Sequence, residues 1–167
     1  MQGYMTILSE AWEIGQFDNP NNCPTHVFLQ VGVGSFSGGM SGFLVNQMKR
    51  LNANIKIVVV EPREADCVYR SHEKGDIYGN HENAAKTHDV PKKRYFSYIS
   101  VIEGNPSTVM AGLNCGTPSA LGWPMIRDCA FAYLSCQDEV TFTGMKSYFK
   151  SKLPIFLKVL FFNLQHH

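Results

Sequence analysis

Residues 26–42 read HVFLQVGVGSFSGGMSG, and residues 55–62 read IKIVVVEP. The first stretch opens with HVFLQV, a β-branched and aromatic run that is typical of a buried strand. Glycines follow, and from residue 39 to Leu51 the apolar side chains recur at helical spacing. The second stretch is apolar almost throughout, as strands buried on both faces of a parallel sheet are. Strand, glycine loop, helix and strand form a βαβ unit, so the sequence predicts an α/β fold with three layers, α/β/α, and a mainly parallel sheet.

The glycine loop predicts an anion-binding site. Five glycines lie within residues 32–42. Glycines let the backbone approach a phosphate closely, and the first amides of the following helix point at it. Ser35 and Ser37 offer hydroxyl donors as well. The alternative is that the glycines only allow close strand–helix packing, and so dense a cluster makes this the weaker interpretation.

The spacing of these glycines leaves the kind of phosphate open. Gly32, Gly34 and Gly38 form GxGxxxG, which is close to a dinucleotide fingerprint, and Glu61 ends the next strand where a ribose-binding acid would lie. A monophosphate cofactor such as pyridoxal phosphate can be held by the same kind of loop. Glycine spacing alone does not decide between the two.

Composition narrows the class of protein. The chain has 167 residues, of which 44% are hydrophobic and 17% charged, with a net charge of +1. This composition indicates a globular domain with no electrostatic reason to bind nucleic acid or an anionic membrane. The apolar run 153–164 contains Lys158 and is shorter than the ~20 residues of a membrane span. The first ten residues do not resemble a signal peptide, so a cytoplasmic location is expected.

No metal site is predicted. The five cysteines form no CxxC pair, and the histidines match no metal spacing. Free thiols in a reducing compartment are the expected state.

The remaining elements are read from periodicity and capping residues. Asp138 is expected to cap the last helix. Helices are predicted over 4–12, 65–71 and 138–145, with helix starts in 107–113 and 124–130, and a strand over 131–135.

Several longer blocks resemble a known family. They read MQGYMTILSEA (1–11), PTHVFLQVGVGSFSGG (24–39), VVVEPREADCVYRS (58–71), STVMAGLNCGTPSALGWPMIRDCA (107–130) and LSCQDEV (134–140). In this order they resemble diaminopropionate ammonia-lyase, one of the fold-type-II pyridoxal-phosphate-dependent enzymes, and they cover most of residues 2–145. The block at 107–130 is far more specific than the glycine loop.

The resemblance implies a function and a set of cofactor-binding residues. The expected cofactor is pyridoxal 5'-phosphate, and the expected reaction is α,β-elimination of 2,3-diaminopropionate to pyruvate and ammonia. Gly32, Val33, Gly34 and Ser35 lie where the family's loop wraps the cofactor phosphate. A small amino-acid substrate and a homodimer are implied for the full-length family.

The resemblance does not supply a catalytic residue. The family's Schiff-base lysine lies in a motif resembling NAFKxxGG, on a segment that would precede Met1, and no lysine of this chain has that context. The chain is therefore expected to be an internal fragment that is inactive by itself. Two other functions stay open: a non-catalytic phosphate-binding or dimerising remnant, and a dinucleotide-binding module.

The chain is expected to consist of one partial domain, an insertion within it and a tail. Residues 1–145 form a partial pyridoxal-phosphate-dependent lyase domain. Within it, 78–100 is polar, basic and without period, and we interpret it as a poorly ordered insertion. Residues 146–167 replace a glycine- and serine-rich segment of the family and form a divergent tail.

Two groups of charged residues have competing interpretations. EPxxADD supplies cation ligands in the related serine racemase, but here Cys67 replaces the second aspartate, which removes a hard oxygen ligand. Glu61 as a polar anchor at the strand end and Asp66 as a helix cap are favoured instead. Arg127 and Asp128 are interpreted as a solvated ion pair rather than a substrate clamp.

Overall fold

The computed structural model describes residues 2–76, 101–102 and 104–150. The predicted insertion 78–100 and most of the predicted tail, 151–167, lie outside the described residues. The boundaries of the insertion and the tail stay predictions.

The described chain alternates helices and strands. Helix α1 is Gln2–Ile14, strand β1 His26–Gln30, helix α2 Ser35–Leu51, strand β2 Lys56–Pro62, helix α3 Cys67–Asp76, helix α4 Gly122–Cys129, strand β3 Ala130–Cys136 and helix α5 Asp138–Lys150. Two short 3-10 turns, Arg63–Ala65 and Ala111–Leu113, lie between them.

The three strands form one parallel sheet in the order β1-β2-β3. Leu29 pairs with Val59 of the central strand, and Val59 pairs with Tyr133. The register of β2 and β3 shifts between Ile57 and Val58. The predicted α/β class, βαβ unit and parallel sheet are confirmed.

The core lies on one face of this sheet. Side chains alternate between the faces of a strand, so Leu29, Val31, Ile57 and Val59 point to the same side. Two buried clusters cover that side. The first comprises Trp12, Leu29, Met40, Leu44, Ile55 and Ile57, and the second comprises Val31, Val59, Cys67, Val68, Trp123 and Ile126. Helices α1 and α2 contribute residues to the first cluster, and helices α3 and α4 contribute residues to the second.

The edges of the sheet differ from the sequence prediction. Strand β1 is predicted to be buried, but only one of its faces is: Leu29 is 4% exposed, whereas Phe28, which points to the opposite face, is 63% exposed. On the opposite edge Phe131 is 62% exposed, and the Lys56 ammonium lies 4.6 Å from its ring centroid.

Three helix predictions need correction. Helix α2 begins at Ser35, four residues before the predicted start, because Gly38 and Gly39 lie within the helix. The helix start predicted in 107–113 is only the 3-10 turn Ala111–Leu113.

The third correction concerns the capping residue of the last helix. Asp138 bonds to Thr108 Oγ1 at 2.5 Å and to the Val109 amide at 2.9 Å, so its carboxylate ties α5 to the preceding loop. It was predicted to cap its own helix. Helix α5 also continues beyond residue 145 to Lys150. Among the described helices, none has the length and apolar character needed to cross a membrane.

Candidate functional site: the loop between β1 and α2

The glycine loop lies at the carboxyl end of an edge strand of the sheet. Strand β1 ends at Gln30, residues 31–34 have no regular structure, and α2 begins at Ser35. Ligands of open parallel sheets bind outside the carboxyl ends of the strands, so the loop lies where a ligand is expected. It is not part of a continuous helix or strand, in agreement with the prediction from sequence.

The backbone of the loop has the conformation of an anion-binding concavity. Gly34 has φ 94° and ψ 0°, which is left-handed, and the next residue, Ser35, is the first of a right-handed helix. Consecutive residues of opposite hand turn their successive N–H groups toward a common point. A side chain at position 34 would be strained in this conformation, which explains why glycine is needed there.

The carbonyl groups of the loop bond to the protein. The Gly32 carbonyl accepts from Cys67 Sγ at 3.7 Å, and the Val33 carbonyl accepts from the Ser119 amide at 2.6 Å. The Gly34 carbonyl accepts the first bond of α2, from the Gly38 amide at 2.8 Å.

These bonds fix the direction of the amides. In a planar trans peptide the N–H points opposite to the carbonyl of the same unit. The amides of Val33, Gly34 and Ser35 therefore point away from the groups that hold the carbonyls. Within the part of the chain that the structure describes, none of these three amides donates to a protein group.

Helix α2 adds to the attraction for an anion. It has 17 residues, and its first turn contains no acidic side chain. Its first amides have no partner within the helix, and its dipole places partial positive charge beside the loop. Ser35 is half-buried, whereas Ser37 is buried and donates its hydroxyl to the Gln30 carbonyl at 2.5 Å. Of the two serines predicted as donors, Ser37 is engaged by the protein, whereas the Ser35 hydroxyl has no partner among the described residues.

The glycines also allow close packing, so the packing interpretation of the cluster is correct in part, and anion binding stays a prediction. A Cβ on Gly32 would lie 3.2 Å from Cys115 Sγ and 3.2 Å from the Gly112 carbonyl oxygen. A Cβ on Gly34 would lie 2.9 Å from Ile126 Cδ1. Loop 111–115 and helix α4 thus lie directly against the loop.

Two residues at the start of α4 support the loop, and sequence reasoning did not assign them a role. Ser119 donates its amide to the Val33 carbonyl, and its hydroxyl accepts from the Gly122 amide at 3.3 Å. Gly122 is buried, and a Cβ there would lie 2.3 Å from the Gly34 carbonyl oxygen. The only signal in the sequence was the block TPSALGW, which marks the family but not the contact.

Glu61 lies behind the loop as a buried helix cap. It is 1% exposed, and its two carboxylate oxygens accept from the amides of Val68 at 3.0 Å and Tyr69 at 2.6 Å. Burial raises the pKa of this carboxyl group to about 8, against the opposing effect of the two amide hydrogen bonds. The prediction of Glu61 as a strand-end anchor is confirmed. Its carboxylate is not accessible to a ribose hydroxyl.

The neighbours of Glu61 do not form a cation site. Asp66 binds Arg70 Nε at 2.6 Å and Ser135 Oγ at 2.9 Å, so its carboxylate joins α3 to β3 and does not cap α3 as predicted. Burial, followed by the nearby Glu61 carboxyl, raises the pKa of Cys67 to about 12 and keeps it a thiol. Residues 2–76, 101–102 and 104–150 contain no cluster of His, Cys, Asp and Glu that could hold a metal ion.

Arg127 and Asp128 form the expected surface ion pair. Arg127 Nε lies 2.7 Å from Asp128 Oδ1, and the Asp128 side chain is 59% exposed. An exposed pair of this kind contributes little to stability.

Comparison with known proteins gives a consistent result. The family model described as "Pyridoxal-phosphate dependent enzyme" matches residues 1–155. Diaminopropionate ammonia-lyase of Escherichia coli K12 is 40% identical over 146 residues, which are 87% of this chain and 30% of that protein. The resemblance read from the sequence blocks is confirmed.

Solved structures agree with this comparison. The E. coli lyase in complex with an aminoacrylate–PLP azomethine reaction intermediate superposes with a TM-score of 0.64 and 36% identity, over 90% of this chain and 31% of that one. Serine racemase from maize has a TM-score of 0.62 at 19% identity, over 89% of this chain and 36% of that one, and shares the fold. The chain spans about 30% of the length of the curated relatives that it matches.

Proposed function

The chain belongs to the family of pyridoxal-phosphate-dependent enzymes, and from this premise we propose that Gly32, Val33, Gly34 and Ser35 bind the phosphate of pyridoxal 5'-phosphate. The chain would then be the cofactor-phosphate segment of a carbon–nitrogen lyase. The proposed reaction of the whole protein is α,β-elimination of 2,3-diaminopropionate to pyruvate and ammonia.

One observation carries the proposal. At the start of a 17-residue helix, the amides of Val33, Gly34 and Ser35 point away from the groups that bind the carbonyls of the same peptide units. Charge-assisted hydrogen bonds from amides to an oxyanion are among the stronger ones in proteins. A phosphate monoester fits this set of donors, which comprises three amides and the Ser35 hydroxyl.

The residues of this chain bind and orient the cofactor. Pyridoxal phosphate, when bound, supplies the electron sink that stabilises negative charge at the substrate α-carbon. The loop amides hold the phosphate at one end, and helix α2 contributes its dipole there. We assign no proton transfer to a side chain of this segment, and we expect the catalytic lysine outside residues 1–167.

The substrate and the oligomeric state of the whole protein are proposed from its relatives. The E. coli relative is solved with an aminoacrylate–PLP intermediate and, separately, with D-serine. These complexes support a small amino-acid substrate for the whole protein. A homodimer in the cytoplasm is proposed from the family resemblance alone.

A dinucleotide-binding function is less well supported. It requires Glu61 to receive a ribose hydroxyl, but this carboxylate is 1% exposed and both of its oxygens accept α3 amides. A non-catalytic phosphate-binding remnant would use the same loop in the same way, so it differs from the lyase proposal in activity and not in binding.

Parallel titrations of the 167-residue chain test the proposal. Pyridoxal phosphate is expected to bind weakly and saturably, inorganic phosphate to compete with it, and NAD to give no response. Weak binding is expected because the phosphate is only one part of the full cofactor site. Saturable NAD binding without a response to pyridoxal phosphate would overturn the assignment.

A further inference from the structure

We propose that Ser119 and Gly122 are positioning residues that set the direction of the loop amides toward a phosphate. The inference rests on the proposed function of the loop. It adds residues that precede and begin helix α4 and that do not themselves belong to the glycine loop.

Ser119 joins the loop to α4 through three hydrogen bonds. Its amide donates to the Val33 carbonyl at 2.6 Å, its carbonyl accepts from the Trp123 amide at 2.9 Å, and its hydroxyl accepts from the Gly122 amide at 3.3 Å. The first bond reaches the loop, and the other two fix the first turn of α4. Ser119 thus makes the position of the Val33 carbonyl depend on where α4 begins.

The bond to Val33 has a direct consequence for anion binding. The Val33 carbonyl and the Gly34 N–H belong to one planar trans peptide and point in opposite directions. Because Ser119 holds the Val33 carbonyl, the Gly34 N–H points to the side of the loop opposite Ser119. Without this hydrogen bond the peptide can rotate, and the Gly34 N–H no longer points toward the phosphate site.

Gly122 sets the distance between α4 and the loop. A Cβ at this position would lie 2.3 Å from the Gly34 carbonyl oxygen, 2.6 Å from the Gly34 carbonyl carbon and 3.1 Å from the Ser35 amide nitrogen. All three atoms are backbone, so a methyl group can be accommodated only if the loop or the helix moves. The displaced atoms are the peptide unit between Gly34 and Ser35, whose N–H is one of the proposed phosphate donors.

The buried surroundings transmit such a displacement instead of absorbing it. Ile126, one turn further along α4, is fully buried, and its Cδ1 would be 2.9 Å from a Cβ on Gly34. Close-packed interiors relax only partly when volume is added. A single methyl at position 122 is therefore expected to shift the loop amides.

The test compares Gly122→Ala with Gly144→Ala in the full 167-residue chain. Gly144 also lies in a helix, but a Cβ there meets nothing within 4 Å. The measurements are the dissociation constants of pyridoxal phosphate and inorganic phosphate, together with the 15N-resolved shift of the Gly34 amide on adding phosphate. We expect Gly122→Ala to weaken both ligands by about tenfold or more, the loss of one charged hydrogen bond. The Gly34 shift should shrink, and Gly144→Ala should leave both readouts unchanged.

Ser119 provides a second pair of variants. Ser119→Ala keeps the amide bond to Val33 and removes the hydroxyl acceptor for Gly122, so a smaller loss of phosphate affinity is expected. Ser119→Thr keeps a hydroxyl group and should therefore bind phosphate with the affinity of the natural chain. If Gly122→Ala does not fold, this pair decides the question.

The outcomes separate the two proposals. A natural chain that binds phosphate, with a folded Gly122→Ala variant of equal affinity, would overturn the positioning role and leave the loop assignment intact. If Gly122→Ala fails to fold, equal phosphate affinities of Ser119→Ala and the natural chain would also overturn the positioning role and leave the loop assignment intact. A natural chain with no phosphate response at the loop would overturn both.

Discussion

The side-chain carboxyl group of Glu61 accepts a hydrogen bond of 2.6 Å from the backbone amide of Tyr69. With the 3.0 Å bond from Val68 it caps helix α3 from the end of strand β2. The arrangement fixes α3 against the sheet and removes Glu61 from the ligand side of the loop.

This buried acid predicts a pH dependence of stability. Burial raises the pKa of Glu61 from 4.5 to about 8 in the folded chain. Between these values the folded state keeps a proton that the unfolded state has released, so the free energy of unfolding falls as pH rises. The slope from this group approaches ~1.4 kcal/mol per pH unit and vanishes below the lower and above the higher pKa.

Urea unfolding at several pH values between 5 and 8 measures this slope. Glu61→Gln should flatten it, whereas Glu64→Gln, which removes an exposed carboxyl group from the adjacent 3-10 turn, should not. Equal slopes for the natural chain and Glu61→Gln would show that this carboxyl group does not titrate as described.

The left-handed conformation of Gly34 predicts a strong effect of a small side chain. Gly34→Ala places a Cβ at φ 94° and 2.9 Å from the buried Ile126. The left-handed conformation alone costs about 1–2 kcal/mol for a residue with a side chain, and crowding adds to it.

Thermal unfolding compares Gly34→Ala with two glycines in open space. Gly144→Ala, in helix α5, should raise the free energy of unfolding by about 0.5–1 kcal/mol because alanine is the better helix former. Gly112→Ala tests a position in the 3-10 turn Ala111–Leu113 where a Cβ has no neighbour within 4 Å. If all three variants proved equally stable, the loop would not have the backbone conformation described.

The sequence predicts best those features that depend on neighbouring residues in the chain, and less well those that depend on tertiary contacts. IKIVVVEP was placed within one residue of strand β2, because a run of β-branched residues between helical segments has few other solutions. The start of α2 was placed too late, since Ser35, Gly38 and Gly39 give no apolar period even though they are helical. Phe28 is exposed although its strand is predicted to be buried, because an apolar run does not show whether one face or both faces of the strand are covered.

The site was predictable only in part for the same reason. The loop itself is local, and its glycines mark it. The contact of Gly122 with the Gly34 carbonyl joins segments far apart in sequence, and no spacing rule encodes it. Ser37 was expected to serve a ligand, but its hydroxyl bonds to the end of β1, a choice that depends on the rotamer and not on composition.

The expected location of the catalytic lysine predicts an inactive chain. The 167-residue chain should release no pyruvate from 2,3-diaminopropionate or serine in the presence of pyridoxal phosphate, because no lysine here has the family's context. Pyruvate detection with a no-protein control measures this. Release that disappears when one of the chain's own lysines is replaced would show that the catalytic set has been misjudged.

The central claim is that the loop amides bind a phosphate, and amide chemical shifts test it most directly. The 15N-labelled chain is titrated with inorganic phosphate and with pyridoxal phosphate, and the backbone signals are followed residue by residue. We expect the largest shifts at Val33, Gly34 and Ser35 for both ligands, with little change at Tyr69, whose amide already donates to Glu61. Saturable shifts that cluster elsewhere, or no shift at residues 33–35 at saturating pyridoxal phosphate, would contradict it.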